Sequence, residues 1–339
     1  MTAPASRQQG FVLALTLWIL AIIAIVAGYF AEKITRSIDL ARQAQVNVQV
    51  MQGLHDTRAE ILFRLGTQPM SLHGLGRGPE DSVALDDRPY RGAEGTVVRL
   101  QDNRGLYNLN IIMSPERLAR LLGVLGVPSE RHGALTDALL DYTDEDDLRR
   151  LNGAEAKEYE AQGLPAPRND RLVTPYEARR IFGWGDAPSL WEKDRLARLT
   201  TTSTAVALNP NTAPWEVLAT LPGMTAEVAK AITAQRQVQP FISADQIAAL
   251  GGIAPAELAL QINFLPSRSV RITQSAPGLN WALQYNVSLT PFANEGPWRV
   301  DYHYQTGLTN VDESLAKIPE LPAASPLPAS ATPTLFAAP

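Results

Sequence analysis

The sequence predicts an α+β protein, in which a long N-terminal helix packs on an antiparallel sheet and a large all-α domain is inserted between the strands. Three observations lead to this fold class. An apolar run continues directly into an amphipathic segment with helical spacing. Segments that alternate apolar and polar residues occur in two separate groups. A long helical region, residues 113–264, lies between those groups, which indicates an insertion.

The apolar run is Phe11–Phe30, which is 20 residues long and holds no charge. That length is about what a helix needs to cross the hydrocarbon core of a bilayer. Arg7 and the amino terminus precede the run without any acidic residue, and charge returns at Glu32 and Lys33. The positive-inside rule therefore predicts a single-pass anchor, with residues 1–10 in the cytoplasm and the chain after residue 31 exported.

The helix is predicted to continue beyond the membrane, over residues 11–65 as a whole. Residues 31–65 contain no proline and only one glycine, Gly53, and their apolar residues recur at helical spacing. The outer half is amphipathic, so its apolar stripe should lie on a globular domain. Two helices joined near Gly28 are the alternative.

The predicted α+β core consists of residues 66–112 and 265–313. Residues 66–95 are rich in Gly, Pro and Asp and are predicted to form a loop. Residues 96–100 have a strand pattern, 102–105 have turn chemistry and 106–110 alternate, so a hairpin is expected over 96–110. Further strands are predicted at 269–274, 279–289 and 298–305. The Pro- and Ala-rich tail, residues 314–339, is predicted to be disordered.

Composition excludes several function classes. A net charge of −5 provides no broad basic field for nucleic acid. The chain has no cysteine and only four scattered histidines, so it can form no disulfide and shows no zinc-ligand spacing. No phosphate-binding G-x-x-x-x-G-K-[ST] loop and no G-x-S-x-G nucleophile motif is present. We therefore expect a non-enzymatic protein without a small-molecule substrate.

An acidic run stands out near the start of the helical region. Five of the seven residues from Asp141 to Asp147 are acids. Carboxylates this close repel one another unless a cation neutralises them, and Ca²⁺ suits an all-oxygen site. Leu148 stands where an EF-hand loop needs its central glycine, so the run is not that motif. The alternative is a solvated helix end with Arg149, Arg150 and Lys157 as counter-charges. A calcium-dependent exported enzyme stays open, although no nucleophile or base can be named.

A second motif comprises Asn209-x-Asn211-Thr212-Ala213, Leu221-Pro222-Gly223-Met224 and the predicted helix at 226–236. It resembles the helix-hairpin-helix module, whose turn can offer backbone N–H groups to a DNA phosphate. Thr225 replaces the second glycine that DNA-binding modules carry, and only Lys230 and Arg236 are basic near the turn. These departures favour a packing unit. A membrane-anchored DNA-binding or uptake protein remains the alternative function.

The short leader before the apolar run has its own signature. Gln9-Gly10-Phe11 resembles the prepilin leader of type IV pilins and type II secretion pseudopilins. That resemblance implies that prepilin peptidase cuts after Gly10 and that Phe11 becomes the N-methylated first residue. A secretory signal peptide and a plain signal anchor are the alternatives.

The order of motifs from residue 7 to about residue 305 resembles the minor pseudopilin K family of type II secretion systems. The residues that carry the resemblance are Gln9-Gly10-Phe11, Asn108-Leu109-Asn110, Leu139-Leu140-Asp141-Tyr142-x-Asp144-x-Asp146, Gly153-Ala154-Glu155 and Asn209-x-Asn211-Thr212-Ala213.

This resemblance implies a pseudopilin fold whose helical insertion binds calcium for structural purposes. Asp141, Asp144, Asp146 and Glu155 fall in the matching segments and are the expected ligands. The implied partners are the minor pseudopilins I and J, with H as a further candidate, and prepilin peptidase for processing. The implied location is the bacterial inner membrane, with most of the chain in the periplasm, supporting protein export across the outer membrane.

Leu15 suggests where in the filament the subunit belongs. After cleavage at Gly10 it is the fifth residue, where most pilins and pseudopilins carry a glutamate that can pair with the amine of a neighbouring subunit. An unpaired charge inside the membrane costs roughly 2.5–3.5 kcal/mol on insertion scales. A subunit with Leu15 fits best where no other subunit lies above it. We therefore expect this chain to cap the pseudopilus tip and to initiate its assembly.

Overall fold

Helix α1 spans Gln9–Thr67 in the computed structural model, which describes residues 9–307 and 317–324. It passes through Gly28 without a break, so the alternative of two separate helices is wrong. The chain divides into two compact units after Gly53. In the first unit, the side chains from Val12 to Gln49 are exposed, including the whole apolar run from Val12 onward.

The strands of the second unit are β1 (Met70–Ser71), β2 (Gly74–Leu75), β3 (Asp86–Arg91), β4 (Val97–Asp102), β5 (Tyr107–Asn108), β6 (Thr200–Thr201), β7 (Ser269–Ser275), β8 (Trp281–Leu289) and β9 (Trp298–Gly307). Five of them form an antiparallel sheet with the strand order β3-β4-β7-β8-β9. Two short pairs accompany it: β1 and β2 are antiparallel, and β5 and β6 are parallel.

Between β5 and β7 nearly all of the regular secondary structure is helical. Its α-helices are α2 (Pro115–Val124), α3 (His132–Thr143), α4 (Ala156–Ala161), α5 (Pro188–Trp191), α6 (Arg195–Leu199), α7 (Trp215–Leu218), α8 (Ala226–Gln235), α9 (Ala244–Gly251) and α10 (Pro255–Ala259). Their buried faces form one apolar cluster that runs from Tyr107 to Ile262 and includes Trp184, Tyr142 and Tyr159. A long helix, an antiparallel sheet and a helical insertion are all present, so the predicted fold class is confirmed.

One face of the sheet packs against the end of α1. Alternate residues of the central strands, such as Val98 and Ile272, form an apolar cluster with Ile61, Leu62 and Leu65 of the helix. This pairing of an amphipathic helix end with the apolar face of a sheet is what the period-two pattern of the strands predicts.

The expected hairpin over residues 96–110 is wrong. β4 pairs instead with β3 and β7, and β5 pairs in parallel with β6. The chain leaves the sheet at a short 3₁₀ turn, Asn103–Gly105, in which the side chain of Asp102 accepts from the N–H of Arg104. The following residues, Leu106 to Leu109, are buried, and Tyr107 and Leu109 belong to the core of the helical domain.

Strand β3 lies inside the segment that was predicted to be a loop. Its sequence, Asp86-Asp87-Arg88-Pro89-Tyr90-Arg91, has charges and a proline, which give no strand signal. β3 is at the edge of the sheet, where a proline is tolerated because no neighbouring strand needs its N–H group.

Part of the tail that was predicted to be disordered has a defined position. Glu320 forms an isolated β-bridge with Arg91 of β3, and the backbone N–H of Arg91 donates to Pro319 O at 2.7 Å. Ile318 is buried in this segment. For residues 317–324 the prediction of disorder is therefore wrong, because backbone pairing and one apolar anchor hold them. Residues 314–316 and 325–339 lie outside the described part of the chain.

A buried carboxylate joins the sheet to the helical domain. Asp102, at the end of β4, is 0% exposed. Its Oδ1 accepts from Arg104 N, Ser267 N and Ser267 Oγ, and its Oδ2 accepts from Asn209 Nδ2 and Thr212 Oγ1 at 2.9–3.0 Å. These donors come from the turn after β4, from the segment that leads into β7 and from the Asn209 motif. One side chain thereby fixes where the insertion leaves the sheet and where it returns.

Asp102→Ala should destabilise the folded chain by about 3 kcal/mol or more, because each buried donor left unpaired costs roughly 1–3 kcal/mol. The measurement is urea unfolding of the detergent-solubilised protein, followed by tryptophan fluorescence. Asp186→Ala, at an exposed aspartate, is the matched control and should unfold like the wild type. Equal midpoints for the two variants would contradict the role assigned to Asp102.

Candidate functional site

The N-terminal helix contains the features expected of a membrane anchor. Within the described residues, one helix, Val12–Thr67, is long and apolar enough to cross a membrane. Leu15 lies in its first turns and is exposed. Gly10 and Phe11 belong to α1, whereas residues 1–8 of the expected leader lie outside the described residues.

The acidic site is built at the end of α3 and in the loop that leads to α4. Asp141 is in the last turn of α3, is 0% exposed and accepts from Arg150 N at 3.1 Å. The backbone of Gly153 approaches Asp141 so closely that a Cβ added there would lie 1.9 Å from its Oδ2. Glycine is therefore required at position 153, and the Asp141 carboxylate is held firmly against the loop.

Several oxygens of this site are buried and poorly satisfied by the described residues, although the Glu155 side chain also faces the backbone N–H of Glu158 in a capping box. Both carboxylate oxygens of Glu155 and the Oδ1 atoms of Asp144 and Asn169 accept no well-formed hydrogen bond from the residues that the structure describes. Glu155 is only 5% exposed. Because buried polar atoms normally have partners, a cluster of unpaired oxygens fits a bound cation.

Asn169 was not predicted as a site residue. It donates from Nδ2 to Asp147 Oδ1 at 3.0 Å, which places it against the acidic loop, and its backbone has a positive φ of 50°. Asparagine tolerates this left-handed conformation better than most residues. The adjacent pair Asn169-Asp170 has the composition of a turn, but nothing in the sequence indicates that this turn meets a loop more than 20 residues earlier.

The four predicted ligands differ in how far their side chains are buried. Asp141, Asp144 and Glu155 are buried or half-buried, whereas Asp146 is exposed and accepts from Leu148 N at 2.8 Å. Arg150 neutralises two of the carboxylates, with Nη1 2.7 Å from Asp141 Oδ1 and 2.5 Å from Asp144 Oδ2. In this arrangement, no three acidic or histidine side chains of the described residues have the spacing of a complete metal site. Calcium binding by these residues thus stays a prediction.

The crowding of carboxylates strongly shifts the pKa of one residue, Glu155. Burial, together with the negative charges of Asp141 and Asp144, raises the pKa of Glu155 from its ordinary value to about 7. The charged form is therefore disfavoured in the folded protein unless a cation is present.

The second predicted motif supports packing rather than DNA contact. In the turn before α8, Gly223 has a positive φ of 70°, and Thr225 caps the helix by accepting from Val228 N. Lys230 lies over the ring of Trp215, with Nζ 4.7 Å from its centroid. Arg236 is buried and donates to Pro210 O and Ala213 O. Both basic side chains near this turn therefore make contacts within the protein.

Three asparagines of the Asn108-Leu109-Asn110 and Asn209-x-Asn211 motifs act as asparagine clamps, which means that their side-chain amides bond to distant backbone segments. Asn108 donates to Ser203 O and Ala205 O, and Asn110 bonds to the backbone of Leu172 and Thr202. Asn211 exchanges hydrogen bonds with the backbone of Phe241. Each of these amides ties together segments that are far apart in the chain.

Comparison with known proteins gives a consistent result. Two segments, residues 105–192 and 208–263, match family models described as type II secretion system (T2SS), protein K. The chain is also similar to a chain in the crystal structure of the GspK-GspI-GspJ complex from the enterotoxigenic Escherichia coli type 2 secretion system. The TM-score is 0.54 at 18% identity, with 81% of this chain and 99% of that chain covered, so the two share a fold. No curated protein sequence matches the chain significantly.

The raised pKa of Glu155 predicts a specific pH dependence in the presence of a chelator. As pH rises from about 4.5 to 7, the unfolded chain loses this proton while the folded chain keeps it, so the contribution of Glu155 to stability falls. Glu155→Gln should therefore melt a few degrees higher than the wild type at pH 8, and at the same temperature near pH 4.5. Glu160→Gln, at an exposed residue of α4, is the control for thermal unfolding by circular dichroism. A wild type more stable than Glu155→Gln at pH 8 would contradict the assignment.

Proposed function

This chain belongs to the protein K family of type II secretion systems and is a pseudopilin, and we propose that it caps the tip of the pseudopilus and initiates its assembly. The finer proposal rests chiefly on Leu15. In α1 the fifth position after Gly10 carries an apolar side chain, which leaves no carboxylate to pair with the amine of a subunit that already lies above it in the filament. Such a subunit fits the first, outermost place of the filament.

The helical insertion supports the same position. It is fixed to the sheet by Asp102 and by Arg271, which donates to the carbonyls of Ala197, Arg198 and Thr200. A domain of this size, held to the sheet by buried bonds, cannot swing aside to admit a neighbour. The tip of a filament accommodates such bulk, whereas the interior of a shaft does not.

We extend the partner assignment from the similar structure. Its GspK chain is found in a complex with GspI and GspJ. The proposed partners of this chain are accordingly the minor pseudopilins I and J of its own system, with H as a further candidate. Prepilin peptidase is proposed to remove residues 1–10 and to methylate Phe11, leaving the chain anchored in the inner membrane with its second unit in the periplasm.

We propose a structural calcium ion for the insertion, held by Asp141, Asp144, Glu155 and Asn169. The unpaired buried oxygens fit an all-oxygen donor set, and calcium would supply positive charge there without any catalytic step. Asp146, which is exposed, would contribute through the fold of the loop. The protein is proposed to be non-enzymatic.

DNA binding through residues 209–250 is the less favoured function. Lys230 and Arg236 already contact Trp215 and backbone carbonyls, and the segment lies within the protein K match. Salt-dependent retention of duplex DNA by the detergent-solubilised chain would revive this alternative.

Tip placement can be tested by labelling assembled pseudopili with an antibody against the helical insertion. Gold label should lie at one end of each filament, while an antibody against the major subunit marks the whole shaft. Deletion of the gene should lower secretion, whereas Leu15→Glu should leave it nearly unchanged. Label spread evenly along the shaft would refute the tip assignment.

Calcium should raise the melting temperature of the chain, because a ligand that binds only the folded state stabilises it by about 2.7 kcal/mol at a hundredfold excess over Kd. Asp144→Asn combined with Glu155→Gln should abolish this response, whereas Glu145→Gln with Glu160→Gln, both at exposed positions, should retain it. The measurement is a thermal melt in chelator and in calcium. A wild-type melt that is insensitive to calcium would end the calcium proposal.

A further inference from the structure

Arg150 pairs with two of the proposed calcium ligands. Its Nη1 lies 2.7 Å from Asp141 Oδ1 and 2.5 Å from Asp144 Oδ2, so one guanidinium nitrogen bridges both carboxylates. Its backbone N–H also donates to Asp141, at 3.1 Å from Oδ2. Arg150 is therefore the residue that neutralises the two carboxylates at the end of α3.

The same site still has unused capacity for positive charge. Glu155 and the Oδ1 of Asp144 are buried without a well-formed bond from the described residues, although Arg150 pairs with the Oδ2 of Asp144. A single guanidinium provides one positive charge, against at least three carboxylates. A divalent cation would satisfy more of these oxygens, but it would share the Asp144 and Asp141 carboxylates with Arg150, which holds Oδ2 of Asp144 and Oδ1 of Asp141.

The two cations exclude each other by electrostatics. A divalent ion bound to Asp144 and Asp141 would lie within a few ångströms of the guanidinium, where like charges repel strongly. Asp141 cannot move away, because it is fully buried and pressed against Gly153. The side chain of Arg150 can move, since it is 38% exposed and sits in a loop without regular secondary structure.

We propose that Arg150 is a built-in substitute for the cation, which keeps the loop from Asp144 to Glu155 folded in the absence of metal and swings out when a divalent ion binds. This inference rests on the proposed calcium site. It assigns to Arg150 two opposite effects: it stabilises the metal-free fold and it weakens metal binding. A residue with a purely structural role would show only the first effect.

The neighbouring arginine provides a matched control. Arg149 has the same charge and the same loop position, is 50% exposed and pairs at 3.4 Å with Glu158 rather than with the predicted ligands. Arg149→Gln removes one positive charge from the loop but leaves the bridge between Asp141 and Asp144 intact. A difference between the two variants therefore reports on the bridge and not on net charge.

The experiment uses the full chain in detergent micelles, as wild type, Arg150→Gln and Arg149→Gln. Calcium affinity is measured by isothermal titration calorimetry, and the melting temperature is measured in chelator. Arg150→Gln should bind calcium about tenfold more tightly than the wild type and melt at a lower temperature without it. Arg149→Gln should resemble the wild type in both measurements.

Each other outcome has a defined meaning. If the wild type binds calcium and Arg150→Gln binds it equally or more weakly, the substitute role is overturned while the calcium site stands. If both arginine variants gain affinity equally, net charge is the cause and the substitute role is again overturned. If neither the wild type nor Arg150→Gln binds calcium, the calcium site itself is overturned, and the inference falls with it.

Discussion

The arrangement of the second unit depends on the buried carboxylate of Asp102. It collects five hydrogen bonds at the point where the chain leaves the sheet, and the donors include residues more than 100 positions further along. A buried ionised group is tolerated only when its hydrogen bonds are complete, so the sheet, the Asn209 motif and the return at Ser267 must assemble together. The insertion is therefore part of one cooperative structure with the sheet.

The two faces of the sheet are held to their neighbours by different interactions, apolar packing on one face and hydrogen bonds on the other. The face toward α1 is apolar and is covered by Ile61, Leu62 and Leu65. On the other face, Arg271 of β7 is buried and donates to carbonyls at the end of α6, where the helix dipole favours a cation. Apolar packing holds α1 on its face of the sheet but does not fix a precise orientation. The hydrogen bonds of Arg271 and Asp102 are directional, and they fix the orientation of the helical domain.

The acidic loop shows how a fold can hold a strained cluster of charge. Asp141 is secured by the backbone N–H of Arg150 and by the close approach of Gly153, and the Arg150 side chain neutralises part of the remaining charge. Glu155 is left with a raised pKa and without a well-formed bond from the described residues. This unresolved repulsion distinguishes the loop from the fully paired carboxylate of Asp102. A bound ion would relieve the repulsion between the carboxylates of the loop, whereas Asp102 already has its hydrogen-bond donors.

The sequence alone predicts the long helix, the strands with period-two alternation and the helical character of the insertion, because each depends on the spacing of apolar residues along a short stretch. It also identified the acidic run and the clamp motifs as segments of interest. The folded structure was needed to reveal that β5 pairs with β6, that the charged segment Asp86–Arg91 is an edge strand and that residues 317–324 lie against it. It also showed that Asn169 meets the acidic loop and that Arg150 bridges Asp141 and Asp144. These contacts join residues whose side chains follow no local period, so they follow from the packing of distant segments and leave no trace in the spacing of the sequence.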